Sequence, residues 1–272
     1  MDISVIIPTF NRKHTLCRAI DSVVHQKYRP DEIIVIDDGS TDNTKLQLLQ
    51  KYPEIKYEYQ ANRGVSAARN NGISIARNSW IAFLDSDDRW HKNKLNSQLK
   101  ILTENPEYKI CHTNETWIKD GKKINQKKKH QKRGGYIFKY CLPLCVISPS
   151  SILIHRDIFD DIGMFDESLP ACEDYELWLR MCAKYPLVYI SQQLVEKYGG
   201  HPDQLSRRYW GMDRFRIRAM EKILHSGRLN AEQKKLVQDN IQSKLNIFLN
   251  GAKKHNNPSD EREYQSILDT IP

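Results

Sequence analysis

Three aspartates stand within four residues at Asp85-Ser86-Asp87-Asp88, directly after the apolar run at 80–84. Carboxylates this close repel one another, and a bound cation would offset the repulsion. Oxygen-only ligands favour Mg²⁺ or Mn²⁺, which can bridge the phosphates of a nucleotide. A structural alternative is an aspartate turn in which Asp88 caps a helix that begins near His91.

A second polar cluster follows the apolar residues at the start of the chain. It lies in the sequence IIPTFNR and consists of Pro8, Thr9, Asn11 and Arg12. We expect this cluster to lie at a switch from strand to helix, where backbone amides and the helix dipole favour a phosphate or a base edge. By itself it does not specify a function.

A third cluster, Asp37-Asp38-Gly39-Ser40, ends the apolar run at 32–36. A carboxylate there can accept hydrogen bonds from a base N–H or a ribose hydroxyl. We expect Ser40 or Thr41 to cap the helix that follows. The first half of the chain contains neither GxGxxG nor GxxxxGK[ST], so the usual dinucleotide and P-loop sequences are missing.

The elements that must position these clusters alternate along the first half. Apolar, strand-like runs are predicted at 3–8, 32–36, 55–59, 80–84 and 109–112, and helices between them, including 65–77 and 91–104. This order predicts a mostly parallel sheet with helices on both faces and ligands beyond the carboxyl ends of its strands. The polar clusters fall at those ends.

The second half is predicted to contain a strand at 151–155, a helix at 173–183, one or two short strands at 187–198, and helices from 212 onward. The helix at 173–183 begins with the acidic pair Glu173-Asp174, and acids in a first turn complement the helix dipole. Trp90 is interpreted either as a platform for a sugar or as a core residue.

Composition points to a globular chain. Of 272 residues, 39% are hydrophobic and 28% are charged. No run approaches the roughly 20 apolar residues of a membrane span, so we expect a cytoplasmic protein. The six cysteines lack CxxC spacing, which favours reduced thiols over a disulfide or zinc framework.

The net charge of +8 is concentrated in one segment, 119–133, which holds eight basic residues and one acid. It is either a solvated, mobile loop or a patch that holds an anionic acceptor or the inner membrane surface. A nucleic-acid-binding protein is a weaker alternative, because the segment lacks interleaved aromatic residues to stack on bases.

Four motifs together resemble the family-2 inverting glycosyltransferases of the GT-A fold. They are, in order, IIPTFNR, DDGSTDNT, NRGVSAARNNGI and WIAFLDSDD. The resemblance is strong over 2–115 and looser to about residue 205. It implies an α/β GT-A fold, with a Rossmann-like, mostly parallel central sheet flanked by helices and a helical C-terminal extension. The expected divisions are a donor-binding half at 1–115, an acceptor and catalytic-base half at 116–210, and the helical extension at 211–272.

The resemblance also implies roles for individual residues. The nucleotide-sugar would be bound by Pro8, Thr9, Asn11, Arg12, Asp38, Arg69, Asp85 and Ser86. Asp85 and Asp87 match the acids of a DxD motif, so Asp87, with Asp85 and His201, would hold Mn²⁺ or Mg²⁺. Asp174 would be the base that removes the proton of the acceptor hydroxyl, with Glu173 as the alternative.

The implied activity is the transfer of a sugar, with inversion, from a nucleotide diphosphate donor, most often UDP-linked, to an acceptor hydroxyl. The enzyme would be metal-dependent and of the hexosyltransferase type, acting in cell-surface polysaccharide or glycolipid synthesis on a saccharide or lipid-linked acceptor. A homo-oligomer through the C-terminal helices is an open alternative to packing of those helices on their own domain. Other open interpretations are a nucleotidyltransferase acting on sugar phosphates and a nucleotide-sugar-binding relative without turnover.

Overall fold

The computed structural model describes residues 1–200, 209, 211–254, 262 and 264–266. The strands are β1 (Ile3–Thr9), β2 (Glu32–Asp37), β3 (Lys56–Tyr59), β4 (Trp80–Phe83), β5 (Arg89–Trp90), β6 (Ile110–Lys119), β7 (Lys122–Ile124), β8 (Ile152–His155) and β9 (Val188–Gly199). The helices are α1 (Lys13–Val24), α2 (Thr44–Lys51), α3 (Val65–Ile75), α4 (Lys94–Glu104), α5 (Phe138–Cys141), α6 (Asp157–Ile162), α7 (Glu173–Lys184), α8 (Asp213–Leu224) and α9 (Ala231–Lys254).

One sheet runs through the described chain, in the order β3-β2-β1-β4-β8-β6-β9-β5, with β7 paired to β6. The first four strands are parallel to one another. Beyond β4 the sheet is mixed, because β8 is antiparallel to both β4 and β6, whereas β6 and β9 are parallel. This architecture confirms the predicted GT-A fold class and places its parallel part in the first half of the chain.

Both faces of the parallel part are covered by helices, as the continuous apolar runs of its strands require. Successive side chains of a strand point to opposite faces. Val5 and Ile7 accordingly belong to the core cluster that includes Ile20 of α1, whereas Ile6 belongs to the cluster that includes Ile73 of α3. A Cβ atom at Gly72 would overlap the side chain of Ile6, so this glycine lets α3 approach β1.

Two predicted helix caps are wrong. Helix α4 begins at Lys94 rather than near His91, and the Asp88 carboxylate accepts hydrogen bonds from Ser150 Oγ (2.6 Å) and the Tyr198 backbone amide (3.0 Å). A buried carboxylate takes the donors nearest to it, and here they come from residues far along the chain.

Trp90 is buried and donates its Nε1 hydrogen to the Ser150 carbonyl, so it is a core residue and not an exposed sugar platform.

The second wrong cap concerns α2, which begins at Thr44 after a left-handed Asn43. Asn43 occupies the N-cap position without a side-chain cap hydrogen bond, and Asp42 Oδ1 accepts hydrogen bonds from the amide and hydroxyl of Thr44. Ser40 is used elsewhere, accepting a hydrogen bond from the Asn11 amide at 2.8 Å.

The basic segment at 119–133 is more ordered than a solvated loop. Strand β7 pairs with the end of β6, and Lys132 is buried beside Glu115, with 3.1 Å between Nζ and Oε2. The short strands predicted at 187–198 form one strand, β9, that follows β6 with register shifts around Asn114. Strand β6 itself extends well beyond the predicted run at 109–112.

The C-terminal helices α8 and α9 contribute Met220 and Leu245 to the core cluster that contains Trp178 of α7. In the described residues they therefore pack on their own domain, and self-association through them remains a prediction. Searched over the same residues, the structure contains no helix with both the length and the apolar character of a membrane span.

Candidate active site

The carboxyl ends of β1, β2 and β4 meet at one edge of the sheet, because β1 pairs in parallel with both neighbours. A cavity of about 740 Å³ opens there, which we call the donor cavity. Its lining includes Pro8, Thr9, Asn11, Arg12, Asp38, Arg69, Asp85, Ser86, Asp87, Glu173 and Asp174. The structure thus brings the predicted site residues together, except His201, which lies outside the described residues.

Asp38 is buried, and its carboxylate is held by the loop after β3. Its Oδ1 accepts hydrogen bonds from Gln60 Nε2 (2.7 Å) and the Arg63 amide (2.9 Å), and its Oδ2 accepts one from the Gly64 amide (2.9 Å). A carboxylate has about four acceptor sites. About one therefore remains for a ligand, consistent with the predicted contact to a base.

Asn11 links the loops that follow β1 and β2. Its backbone is left-handed, with φ 51°, a conformation that asparagine tolerates better than most residues. Its amide donates to Ser40 Oγ, and its Oδ1 accepts from the Thr41 amide, both at 2.8 Å. Asn11 thereby fixes the loop that carries Arg12, whose Nη1 lies 3.7 Å from Asp87 Oδ2.

The acidic cluster after β4 is tightly packed. The side chains of Asp85 and Asp87 are 26% and 19% exposed, whereas Asp88 is buried. Burial, and next the charges of Asp87 and Asp85, raise the pKa of Asp88 well above its ordinary value. Ser150 Oγ organises the turn, because it accepts from the Asp85 amide and donates to Asp88.

The chemistry of these acids fits the predicted cation. Mg²⁺ is commonly held by one or two carboxylates, with substrate phosphates and water completing its shell. Asp85 and Asp87 are two carboxylates on one wall of the donor cavity, and their crowding with Asp88 favours a positive charge. No group of three or more ligand side chains suited to a metal occurs among the residues that the structure describes. Substrate phosphates, water and His201, which lies outside the described residues, are the candidates for the remaining ligands.

Arg69 joins the acidic turn to helix α7. Its Nη2 lies 2.8 Å from Asp85 Oδ1, and its Nη1 lies 2.8 Å from Glu173 Oε1. Burial alone would lower the pKa of Arg69, but Asp85 and Glu173 outweigh it and the net shift is upward. The guanidinium thus remains charged and holds the two carboxylates in fixed positions.

Glu173 and Asp174 differ in their suitability as a base. Glu173 is engaged by Arg69, and burial followed by the charge of Asp174 raises its pKa. Asp174 Oδ1 accepts from the Tyr175 amide (2.7 Å), and its Oδ2 accepts from the Cys145 thiol (3.4 Å). The geometry favours Asp174, whose carboxylate borders open space and has no cation bound to it among the described residues.

A second cavity, of about 540 Å³, adjoins the donor cavity, and Asp174 lines both. Its floor contains a buried ion pair between Glu115 and Lys132, and Glu115 also accepts from Trp117 Nε1 (2.6 Å) and Ser148 Oγ. Burial alone would raise the pKa of Glu115, but these partners, chiefly Lys132, lower it to about 2.

Sequence reasoning missed two cations that border both cavities, Lys197 of β9 and Arg216 of α8. Each is a charged residue within a strand or helix and belongs to no motif. Such residues usually lie on a solvated face. The sequence LVEKY places Lys197 on the strand face opposite that of its neighbours Glu196 and Tyr198. That alternation alone could not tell which of the two faces is inward.

Comparison with known proteins agrees with this architecture. The sequence model of glycosyl transferase family 2 matches residues 4–163, more than half of the chain. A Rickettsia felis protein described as an uncharacterized glycosyltransferase is 34% identical over 200 residues, which are 71% of this chain and 32% of that protein. The chain thus spans about a third of the length of that relative.

A second relative is the Escherichia coli protein named UDP-Glc:alpha-D-GlcNAc-diphosphoundecaprenol beta-1,3-glucosyltransferase WfgD. It is 31% identical over 180 residues, which are 65% of this chain and 68% of that protein. The crystal structure of S. aureus TarS 1–349 in complex with UDP-GlcNAc matches with a TM-score of 0.71 and 20% identity, over 89% of this chain and 72% of that one. The chain therefore belongs to glycosyl transferase family 2.

Proposed function

We propose that this protein transfers a sugar, with inversion, from a UDP-linked donor to an acceptor hydroxyl, as a hexosyltransferase in the synthesis of a cell-surface polysaccharide or glycolipid. One observation carries the proposal: Asp174 borders both the donor cavity and the second cavity. A base at such a junction can reach a hydroxyl on one side and an anomeric carbon on the other.

In this reaction the acceptor oxygen attacks the anomeric carbon from the side opposite the diphosphate. The bond between that carbon and the diphosphate oxygen breaks, the nucleoside diphosphate leaves with the bonding electrons, and the hydroxyl proton passes to Asp174. Arg69 holds the turn at Asp85 and the start of α7 in register, so that the two reacting groups stay aligned. A divalent cation held by Asp87 and Asp85 would supply Lewis-acid stabilisation of the leaving diphosphate.

The names of two similar proteins support a UDP-linked donor. WfgD is named for UDP-Glc, and TarS is described in complex with UDP-GlcNAc. In this chain, Asp38 is held by three donors and retains about one acceptor site for a base N–H. The choice between hexoses is left to experiment.

Calorimetric titration of UDP with and without Mn²⁺ tests the donor site and the cation together. We expect Mn²⁺ to tighten binding at least about tenfold, and Asp87→Asn to abolish that gain while leaving metal-free binding unchanged. Asp160→Asn on the exposed side of α6 is the matched control. Equal affinity for UDP in Mn²⁺ and in EDTA would contradict the metal assignment.

A product assay separates transfer from nucleotidyl transfer. With a UDP-sugar and an acceptor, the proposed reaction releases UDP, whereas a nucleotidyltransferase acting on a sugar phosphate and UTP releases pyrophosphate. A protein that binds UDP but releases neither product with any donor would be a relative without turnover.

We further propose that the basic segment contacts anionic lipid at the inner membrane surface. Lysines at 122–123 and 127–129 are exposed, and the exposed side chains of Ile124, Tyr136 and Tyr140 lie close to them in sequence. Apolar and tyrosine side chains among lysines are typical of a membrane interface. Ile124 also lines the second cavity, so this contact would bring a lipid-linked acceptor to its mouth.

Vesicle co-sedimentation tests this contact. Each lysine near an anionic surface contributes about 1 kcal/mol, so glutamine at all three positions 127–129 should weaken binding to phosphatidylglycerol vesicles about a hundredfold. Glutamine at the exposed lysines 92, 100 and 234 removes the same charge elsewhere and should change binding little. Equal losses in the two triple variants would contradict a specific lipid-binding face.

A further inference from the structure

The second cavity has one apolar wall and one cationic wall. The apolar wall includes Trp117, Ile124 and Val146. The cationic wall is formed by Lys119, Lys132, Lys197 and Arg216, against the two acids Glu115 and Asp174. The lining therefore carries more cations than carboxylates, the reverse of the acid-rich donor cavity.

Ion pairs do not fully neutralise the positive charge of the second cavity's lining. Lys132 is neutralised by Glu115, with Nζ and Oε2 3.1 Å apart. Arg216 shares its carboxylate, because Asp213 Oδ1 lies 2.8 Å from Arg216 Nη1 and 2.9 Å from Lys244 Nζ. Arg216 Nε is buried without a hydrogen-bond partner among the described residues. Arg216 therefore keeps one N–H donor that no described residue satisfies.

Lys197 is compensated by carboxylates that lie beyond ion-pair distance. Its ammonium makes no hydrogen bond and no ion pair with the other residues that the structure describes. Burial alone would lower its pKa, but more distant carboxylates, chiefly Glu115 and Asp88, outweigh burial and raise it. Lys197 thus stays charged at the junction of the two cavities, where Asp174 also lies.

The hydroxyl groups of a neutral acceptor could accept hydrogen bonds from these donors but would bring no negative charge, whereas an acidic group would make stronger, charge-assisted hydrogen bonds with them. Building on the proposed transferase function, we propose that the second cavity binds an acceptor saccharide carrying an acidic group, a carboxylate or a phosphate, and that Lys197 and Arg216 hold that group. Trp117 offers an aromatic surface to the sugar ring. Asp174 then faces the acceptor hydroxyl from the same cavity.

Three small probes test the selectivity directly in the intact protein saturated with UDP and Mn²⁺. Methyl β-glucuronide carries a carboxylate, glucose 1-phosphate carries a phosphate, and methyl β-glucoside is neutral. We expect at least one acidic probe to bind about tenfold or more tightly than the neutral one, since a charge-assisted hydrogen bond is worth that much or more. The tighter of the two acidic probes identifies which acid the cavity prefers.

Lys197→Met should reduce this preference to about twofold or less, because the remaining donors hold the anion poorly without the ammonium. Arg216→Lys keeps the charge, removes the Nε donor and should reduce the preference by a smaller factor. Lys100→Met on the exposed face of α4 is the matched control and should retain it. Far-UV circular dichroism and urea unfolding check that each variant is folded.

Equal binding of acidic and neutral probes to the wild-type protein would overturn the inference, and so would full selectivity in Lys197→Met. The wild-type comparison decides even if a variant fails to fold. Failure of the wild-type protein to bind UDP would instead overturn the proposed function, and the inference with it. UDP binding together with unselective saccharide binding would sink the inference alone.

Discussion

The donor cavity and the second cavity meet at Asp174, but they differ in construction and in charge. The donor cavity lies where neighbouring parallel strands end, so short loops after β1, β2 and β4 supply several of its side chains. The second cavity is formed along β6 and β9, whose pairing shifts register around Asn114, and by the segments that follow them. One is a junction of strand ends, and the other is the surface of a long, irregular strand pair.

The charges differ in the same way. Acids predominate in the donor cavity, where Arg69 holds Asp85 and Glu173, whereas cations predominate in the second cavity, where Lys132 holds Glu115. An acidic cavity takes a diphosphate together with a cation, and a basic one takes an anion directly. We infer that two anionic substrates can occupy adjacent cavities. Only the donor would bring a metal, which suits the acidic cavity, whereas the acidic acceptor would bind the cations of the second cavity directly.

The largest effect is expected at Asp174, one of the residues that line both cavities. Asp174→Asn removes the base and keeps the shape of the side chain, so transfer should fall by about 10²–10⁴-fold. Binding of UDP with Mn²⁺ should stay within about twofold, because in the proposed mechanism Asp174 acts on the acceptor hydroxyl rather than on the nucleotide. Initial rates of UDP release and calorimetric titration measure the two effects separately.

Asp120→Asn provides the control for that experiment. Asp120 is exposed in the turn between β6 and β7 and has φ 50°, which asparagine also tolerates. Its variant should transfer sugar at the wild-type rate. If Asp174→Asn were as active as Asp120→Asn, Asp174 would not be the base. Its position between the two cavities would then have no role in the transfer.

The next largest effect tests how the donor cavity is held together. Arg69→Met leaves Asp85 and the buried Glu173 without their cation, and breaking a buried pair costs about 3–5 kcal/mol. Arg63→Met also breaks a pair, with Glu167, but that pair is exposed and should be worth under about 1 kcal/mol. Urea unfolding at pH 7 compares the two, and equal losses would show that Arg69 does not organise the site.

The donor cavity could be largely predicted from the sequence. Its strands are short apolar runs, each followed at once by the polar residues that the cavity uses, so local sequence contains both the element and its site. The parallel order then brings Thr9, Asp38 and Asp85 to one edge of the sheet. The wrong caps at Asp88 and Ser40 have a common cause, because long-range partners, Ser150 and Asn11, engage those side chains.

The second cavity could not be predicted in this way. Glu115, Lys132, Lys197 and Arg216 come from four separate segments. Each looks like an ordinary surface charge in the sequence, but the fold buries Glu115 and Lys132 and half-buries Lys197 and Arg216. The register shift at Asn114 hides which residues of β6 and β9 face inward. The excess of positive charge at 119–133 was the one feature of the sequence that indicated an anion-binding region. It did not distinguish buried Lys132 from its exposed neighbours.

The ion pair under the second cavity predicts a pH effect on stability. The pKa of Glu115 is lowered to about 2 from 4.5 in the folded protein, so this carboxylate stabilises the fold above pH 4.5 and loses that effect as the pH falls toward 2. A shift of this size corresponds to about 3 kcal/mol. Glu115→Gln should therefore be less stable than wild type at pH 7 and approach it at low pH.

Urea midpoints from pH 7 to pH 3 measure that convergence. Glu107→Gln is the control, because Glu107 is exposed near the end of α4 and should show no difference in this range. If the urea midpoints of Glu115→Gln and wild type differed by the same amount over the whole pH range, the charge of the Glu115 carboxylate would contribute nothing to stability. Lys132 would then be balanced by other groups.

The smallest effect concerns Lys94, a buried cation with no carboxylate beside it, in contrast to Arg69 and Lys132. Its Nζ lies 3.9 Å from the centre of the Trp90 ring and donates to Gln98, and burial lowers its pKa to about 7 from 10.5. The unfolded chain therefore binds more protons between pH 7 and 10.5, so wild-type stability gains from this group as the pH rises. Lys94→Met removes the cost of burying this ammonium, so it should be the more stable protein at pH 7 by about 1–2 kcal/mol, after allowing for the lost hydrogen bond.

The difference between Lys94→Met and wild type should shrink toward pH 10, while the exposed control Lys92→Met should follow wild type throughout. A Lys94→Met protein that is less stable than wild type at every pH would show that the contacts with Trp90 and Gln98 outweigh the cost of burying the charge.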